Sequence, residues 1–193
     1  DKLASYIKRL TKKLIPKAMP DGTGKIEFKQ LSAFTTENYM THPISGEYSK
    51  YFIKDDLFAG GDYFLKSIAE IFINNGYDVT VSECTMLHNS TFEHLIVEQL
   101  GLVFITGNFF NGLVPENENI INFSRFYDKE MYSNKKQRIN FDKKASLELA
   151  KEASVCLKTA LDIHDELEKF YINAIDFESL NHFTAEFIES LKK

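Results

Sequence analysis

At 193 residues and 44% hydrophobic content, the chain can bury one ordinary core, and two full domains would be cramped. A net charge of -5 and a pI near 5.6 argue against a global attraction to nucleic acid or to an anionic membrane. The longest apolar runs, such as Leu100 to Gly107, fall well short of the roughly 20 residues a membrane helix needs.

In the N-terminal segment, Leu3, Ile7, Leu10 and Leu14 recur at helical spacing among Lys8, Arg9, Lys12 and Lys13, and Pro16 ends the pattern. The pattern predicts a short amphipathic helix with a solvated basic face, and the same charges rule out the apolar core of a signal peptide. Met19-Pro20-Asp21-Gly22-Thr23-Gly24 reads as a linker, which assigns residues 1–24 to helix and linker. The absence of an initial methionine reads as a piece of something longer. A strand is expected from Ile26 to Phe34, then a polar, turn-rich segment to Ser49.

The stretch from Tyr51 to Glu70 has the layout of a phosphate-binding loop without the residues that bind phosphate. An apolar run ends at Ile53, a loop with Gly60 and Gly61 follows, and a helix then carries Phe64, Leu65, Ile68, Ala69 and Phe72 before stopping at Gly76. A working loop reads G-x-x-x-x-G-K-S/T, its amides cradling the phosphates, its lysine on the β- and γ-phosphates and its hydroxyl on Mg²⁺. Laid over Asp55 to Asp62, only the second glycine, Gly60, survives; Asp55 stands for the first glycine, Gly61 for the lysine and Asp62 for the Ser/Thr. Repulsion between unit charges about 4 Å apart is about 4 kcal/mol at an effective dielectric of about 20, so Asp55, Asp56 and Asp62 oppose a bound phosphate. Lys66, four residues beyond Asp62, pairs with it more simply than it reaches a phosphate.

Asp78 to Cys84 alternates and is β-branched, as a strand does. Glu93 to Leu100 fits helix or strand, and Leu102 to Gly107 is a continuous apolar run of the buried parallel kind. Strands alternating with helices imply right-handed crossovers and a mainly parallel sheet, with any ligand at the C-terminal strand ends. From Asp142 to Ile175 a helix is expected, with Leu149, Ala153, Cys156, Ala160, Ile163, Leu167, Phe170 and Ala174 on one stripe that packs on the sheet or on a partner. It would span about 50 Å. A last helix, Glu178 to Leu191, is expected with Asp176 and Glu178 as its capping residues. The fold class is therefore α/β, a mainly parallel sheet flanked by helices, occupying 25–193 with long C-terminal helices over 142–193.

Other constellations are weaker. Cys84 with His88 or His94 as base offers a nucleophile on paper, but a buried structural thiol is the simpler reading. His164 and Glu168 share a helix face, where metal ligation would need partners from another helix, so a packing histidine is expected. Both cysteines, Cys84 and Cys156, lack ligand spacing and read as reduced thiols in a cytoplasmic protein.

Lys50-Tyr51-Phe52-Ile53-Lys54 before the loop, Leu65-Lys66-Ser67-Ile68-Ala69-Glu70 after it, Gly76-Tyr77-Asp78-Val79-Thr80-Val81, the run from Glu93 to Thr106, and the segment from His164 to Ile172 resemble a group of bacterial, Firmicutes-type tandem P-loop ATPase-like proteins. The similarity is to the second, C-terminal domain and covers most of Ile26 to Leu191. It implies a P-loop NTPase fold with Gly60, Gly61 and Asp62 at the binding loop, but not the activity, because the lysine and hydroxyl are gone. The expectation is a degenerate domain with a structural or regulatory role, no cofactor, and a second P-loop domain or another copy of the chain as partner. The alternative is an ATPase or small-molecule kinase in which Asp62 holds Mg²⁺ beside ATP and a lysine arrives from elsewhere. Neither nucleic acid nor membrane is expected as a partner.

Overall fold

The computed structural model describes residues 2–17, 21–87, 90–115 and 119–192. The linker positions Met19 and Pro20 lie outside these residues, as does His88. The chain runs α1 (Lys2–Leu14), β1 (Ile26–Phe28), β2 (Ser32–Phe34), β3 (Tyr39–Thr41), β4 (Ser49–Lys54), α2 (Gly61–Asn74), β5 (Val79–Glu83), β6 (Phe92–Val97), β7 (Leu102–Gly107), β8 (Asn119–Asn122), α3 (Lys129–Ile172) and α4 (Phe177–Leu191). Six strands form one sheet in the order β1-β5-β6-β7-β4-β8, and β2 and β3 form a separate antiparallel pair. The sheet is mostly parallel: β1 with β5, β7 with β4 and β4 with β8 run together, while β6 runs against both neighbours.

The side-chain period of the strands sorts the two faces. Ile53 of β4, Val79 and Val81 of β5, Leu95 and Val97 of β6, and Leu102 and Phe104 of β7 join Phe64, Leu65, Ile68 and Phe72 of α2 in one core. The apolar positions of α2 recur at i, i+3 and i+4, so one face of the helix covers the sheet, and each such side chain contributes about 1.5–3 kcal/mol of burial. α1 lies on α2 and adds Ile7 to the same core. On the opposite face, the β2–β3 hairpin is tied to the sheet by Leu31 N–H donating to Ser82 Oγ and by Ser32 Oγ lying 3.2 Å from His94 Nε2.

Several expectations are corrected in detail. The strand foreseen from Ile26 to Phe34 is divided, because the chain leaves the sheet edge after Phe28 and turns into the hairpin. The uncertain run from Glu93 is strand β6 followed by a 3-10 turn, Glu98–Leu100, which Gly101 closes with φ 57. β5, β6 and β7 therefore follow one another without intervening α-helices, so the expected alternation of strands and helices stops there, while the sheet as a whole is mostly parallel as expected.

The long helix begins at Lys129, not Asp142, because Asp128 accepts the Met131 amide and caps it. Its stripe does not pack on the sheet. Among the described residues, the inner positions up to Ser154 are half-buried or buried, but every residue of the helix beyond Ser154 is exposed, and α4 makes no extended contact along it. α4 itself starts as expected, with Asp176 accepting the amides of Glu178 and Ser179. Among the described residues, no helix is long and apolar enough to cross a membrane.

Candidate functional site

The loop between β4 and α2 sits where β4 ends, flanked by the parallel strands β7 and β8. Asp55 is the first residue past β4 and is 1% exposed. Its backbone N–H still donates to Gly107 of β7, which fixes the residue at the strand end. The chain then wraps around its side chain. Asp55 Oδ1 accepts the Ala59 amide at 3.0 Å, and Oδ2 accepts those of Gly60 at 3.1 Å and Gly61 at 2.8 Å. Tyr127, just before α3, donates its hydroxyl to Oδ1 at 3.3 Å. Three successive amides at the positive end of a helix dipole are the arrangement that binds an oxyanion, and here an internal carboxylate takes them. Burial and the Asp55 charge together raise the Tyr127 phenol above its ordinary value, which keeps it a hydrogen-bond donor.

The wrapped geometry has local requirements. Phe58 adopts φ 51, a left-handed conformation unusual for a bulky residue, and its ring packs against Phe109 and Phe110. A Cβ on Gly61 would come 3.0 Å from Asp55 Oδ2, so the absence of a side chain lets the carboxylate close on the amides.

Asp62 does not contribute to the cradle. Its Oδ1 accepts the Phe92 amide at 2.8 Å and its Oδ2 accepts Lys66 Nζ at 3.0 Å, the pairing anticipated from their spacing. A metal on Asp62 would have to compete with Lys66. Gly60, Gly61 and Asp62 are thus together at the start of α2, with their amides or oxygens already engaged by the chain.

A cavity of about 170 Å³ lies beside the loop, bordered by Asp55, Asp62, Cys84, Glu93, Thr106 and Asn108. Glu93 is 3% exposed; its Oε2 accepts Tyr39 Oη at 3.0 Å and its Oε1 accepts Asn111 Nδ2 at 3.3 Å. Burial raises the Glu93 carboxyl above its usual range, against the hydrogen bonds that lower it. Next to it, fully buried His94 accepts the Thr106 amide on Nδ1 at 3.2 Å. That assigns the proton to Nε2, which donates to Ser32 Oγ, and Ser32 in turn lies 3.0 Å from Thr41 Oγ1. Burial drives the His94 pKa down to about 3, so the ring is neutral and its approach to Glu93 at 3.6 Å is not an ion pair. This network joins the hairpin to the sheet. Its polar members Tyr39, Glu93 and Asn111 were not singled out from sequence, although a Glu-His pair inside an apolar strand run is a visible signal of a buried network.

The remaining candidates separate. Cys84 is buried, 3.8 Å from the Tyr39 hydroxyl, and His94 is committed to Thr106 and Ser32. His164 is an exposed residue rather than a packing one, 3.6 Å from Glu168, and with Asp165 it brings three ligand atoms within 4.8 Å on an open helix surface. On the far side of the loop, Lys54, Lys129 and Lys143 border a cavity of about 390 Å³ together with Asp56 and Asn140.

The molecule is an α/β protein whose strand-loop-helix unit carries a filled amide cradle. No protein-family model, no curated protein and no solved structure matches the chain.

Proposed function

We propose that this chain is a degenerate P-loop NTPase-like domain, one half of a tandem ATPase-like protein, with a structural or regulatory role and no nucleotide hydrolysis of its own. The observation that carries this reading is the Asp55 carboxylate on the amides of Ala59, Gly60 and Gly61, in the place a phosphate would take. A phosphate would have to displace a buried anion that is already hydrogen-bonded and would meet Asp62 and Glu93 nearby. The helical arm beyond Ser154, with its exposed apolar stripe, is then the part of the molecule available for protein contacts.

The test is a thermal-shift titration with ATP and GTP, each with and without Mg²⁺. The proposal expects no shift with either nucleotide. A saturable shift would reject it.

A second reading, a nucleotide-binding ATPase or kinase with a noncanonical site, draws on one observation: Lys54, Lys129 and Lys143 line a basic cavity next to the loop. It expects metal-dependent turnover that is lost in Asp62→Ala; turnover unchanged in that variant would dispose of it.

A further inference from the structure

The exposed arm carries an apolar seam at regular helical spacing. Leu149, Ala153, Cys156, Ala160, Ile163, Leu167, Phe170 and Ala174 alternate by four and three residues, the a/d pattern of a two-helix seam. Ala174 belongs to the turn that closes α3, its amide donating to Tyr171 O at 2.9 Å. The large residues of the seam are bare, Leu149 71% exposed, Ile163 62%, Leu167 50% and Phe170 76%, while Ala153 is half-buried. With the flanking Leu157 and Tyr171 added, the open apolar surface on each copy is on the order of 700 Å², taking roughly 200 Å² for a large side chain. A standard interface buries about 800 Å² per partner.

The sizes along the seam also fix the direction. Ala153, Ala160 and Ala174 occupy three a positions, and Leu149, Ile163 and Phe170 three d positions; the exceptions are a large a residue, Leu167, and a small d residue, Cys156. In a parallel pair like faces like, so the thin Ala153, Cys156 and Ala160 layers would run together and be followed by the thick Ile163, Leu167 and Phe170 layers. In an antiparallel pair each a faces a d. One register then sets Ala153 against Phe170, Ala160 against Ile163, Leu167 against Cys156 and Ala174 against Leu149, a small side chain opposite a large one in every layer. The two exceptions meet each other. The same register places Thr159 beside Glu166, Glu152 beside Asn173 and Leu157 beside His164, with no like charges facing.

We infer that the distal half of α3 is an antiparallel helix-pairing surface for a second copy of this chain, in the register that sets Leu167 of one copy against Cys156 of the other. The inference names the partner for the contact role proposed above, while its test reads the arm and not the loop, so either can fail without the other.

The register supplies the experiment. In the antiparallel pair the two Cys156 residues lie about 16 Å apart along the axis, too far for a disulfide, which needs Cα atoms within about 7 Å. Leu167→Cys places a new thiol opposite the native Cys156 of the other copy. The full chain should sediment as a dimer of the 22.2 kDa protomer. Under mild oxidation Leu167→Cys should give most of the protein as a disulfide-linked dimer, while the native chain and the Leu167→Cys, Cys156→Ser double variant give little. A monomer at tens of micromolar would overturn the inference and assign the arm to a different protein. Efficient crosslinking of the native chain through Cys156 would overturn it in favour of a parallel pair, and failure of Leu167→Cys to crosslink would overturn the register. Leu167 and Cys156 are exposed on one helix, so none of these variants disturbs the folded core.

Discussion

The Asp55 carboxylate accepts the Gly61 amide at 2.8 Å, closing the first turn of α2 on a negative charge that the chain itself provides. Gly60, the residue before the helix, has no side chain to cap it, so Asp55 performs that task from the end of β4. The same contact stabilises the helix and occupies the only run of amides at this loop suited to a phosphate.

Replacing Asp55 with alanine should therefore cost more than an ordinary cap. Caps contribute about 0.5–2 kcal/mol, and buried donors left without partners add about 1–3 kcal/mol, so Asp55→Ala is expected to lose about 2–4 kcal/mol in urea unfolding. A loss below about 0.5 kcal/mol would mean that the amides are satisfied without it.

Gly61→Ala tests the closeness of the contact. Its Cβ would press on Asp55 Oδ2 at 3.0 Å, and the expected result is a loss of about 1 kcal/mol although alanine is the better helix former by about the same amount. Gly107→Ala should be worse, by about 3 kcal/mol or more, because its Cβ would land on the Phe52 ring and 2.8 Å from Leu113 O. An increase in stability in either variant would contradict the packing described here.

His94 sets an acid limb. Its folded pKa, about 3, lies below the ordinary 6.5, so between these values the unfolded chain binds a proton that the native state excludes. Stability must then fall as pH drops from 6.5 toward 3, by up to about 1.4 kcal/mol per pH unit from this group. Glu93 beside it is shifted the other way, its raised pKa favouring the folded state at low pH, which partly offsets the limb. Urea unfolding of native protein and His94→Gln across this range should show a shallower dependence in the variant; equal slopes would remove His94 from the account.

Among the described residues, Thr106 Oγ1 has no hydrogen-bond partner, and it is buried at the edge of the cavity beside the loop. Thr106→Val is accordingly expected to be neutral or to stabilise by up to about 1 kcal/mol. A loss of more than about 1 kcal/mol in thermal unfolding would show that the hydroxyl has a partner in solution.

The strand-loop-helix unit was legible because its signals are local: an apolar run to Ile53, glycines at 60 and 61, and helical spacing from Phe64 to Phe72. The exclusion of a lysine-bearing phosphate loop was legible as well, from Gly61 and Asp62. What Asp55 does was not, because a carboxylate reads as repulsion until the chain is seen to wrap around it. β6 escaped for a related reason: Glu93 to Leu100 fits either period, and a hairpin partner rather than its own sequence decides it. The start of α3 at Lys129 was obscured by Lys135, Lys136 and Arg138, which make the first turns polar. The stripe on its distal half was expected to pack on the sheet or on a partner, and its spacing carries no signal that separates the two.

The three amides that Asp55 holds can be watched directly. In ¹⁵N-labelled protein, the Ala59, Gly60 and Gly61 resonances should stay in place as Mg²⁺-ATP or inorganic phosphate is added, because Asp55 holds them. Saturable movement of these resonances would show that an external phosphate takes the cradle, and would contradict the account.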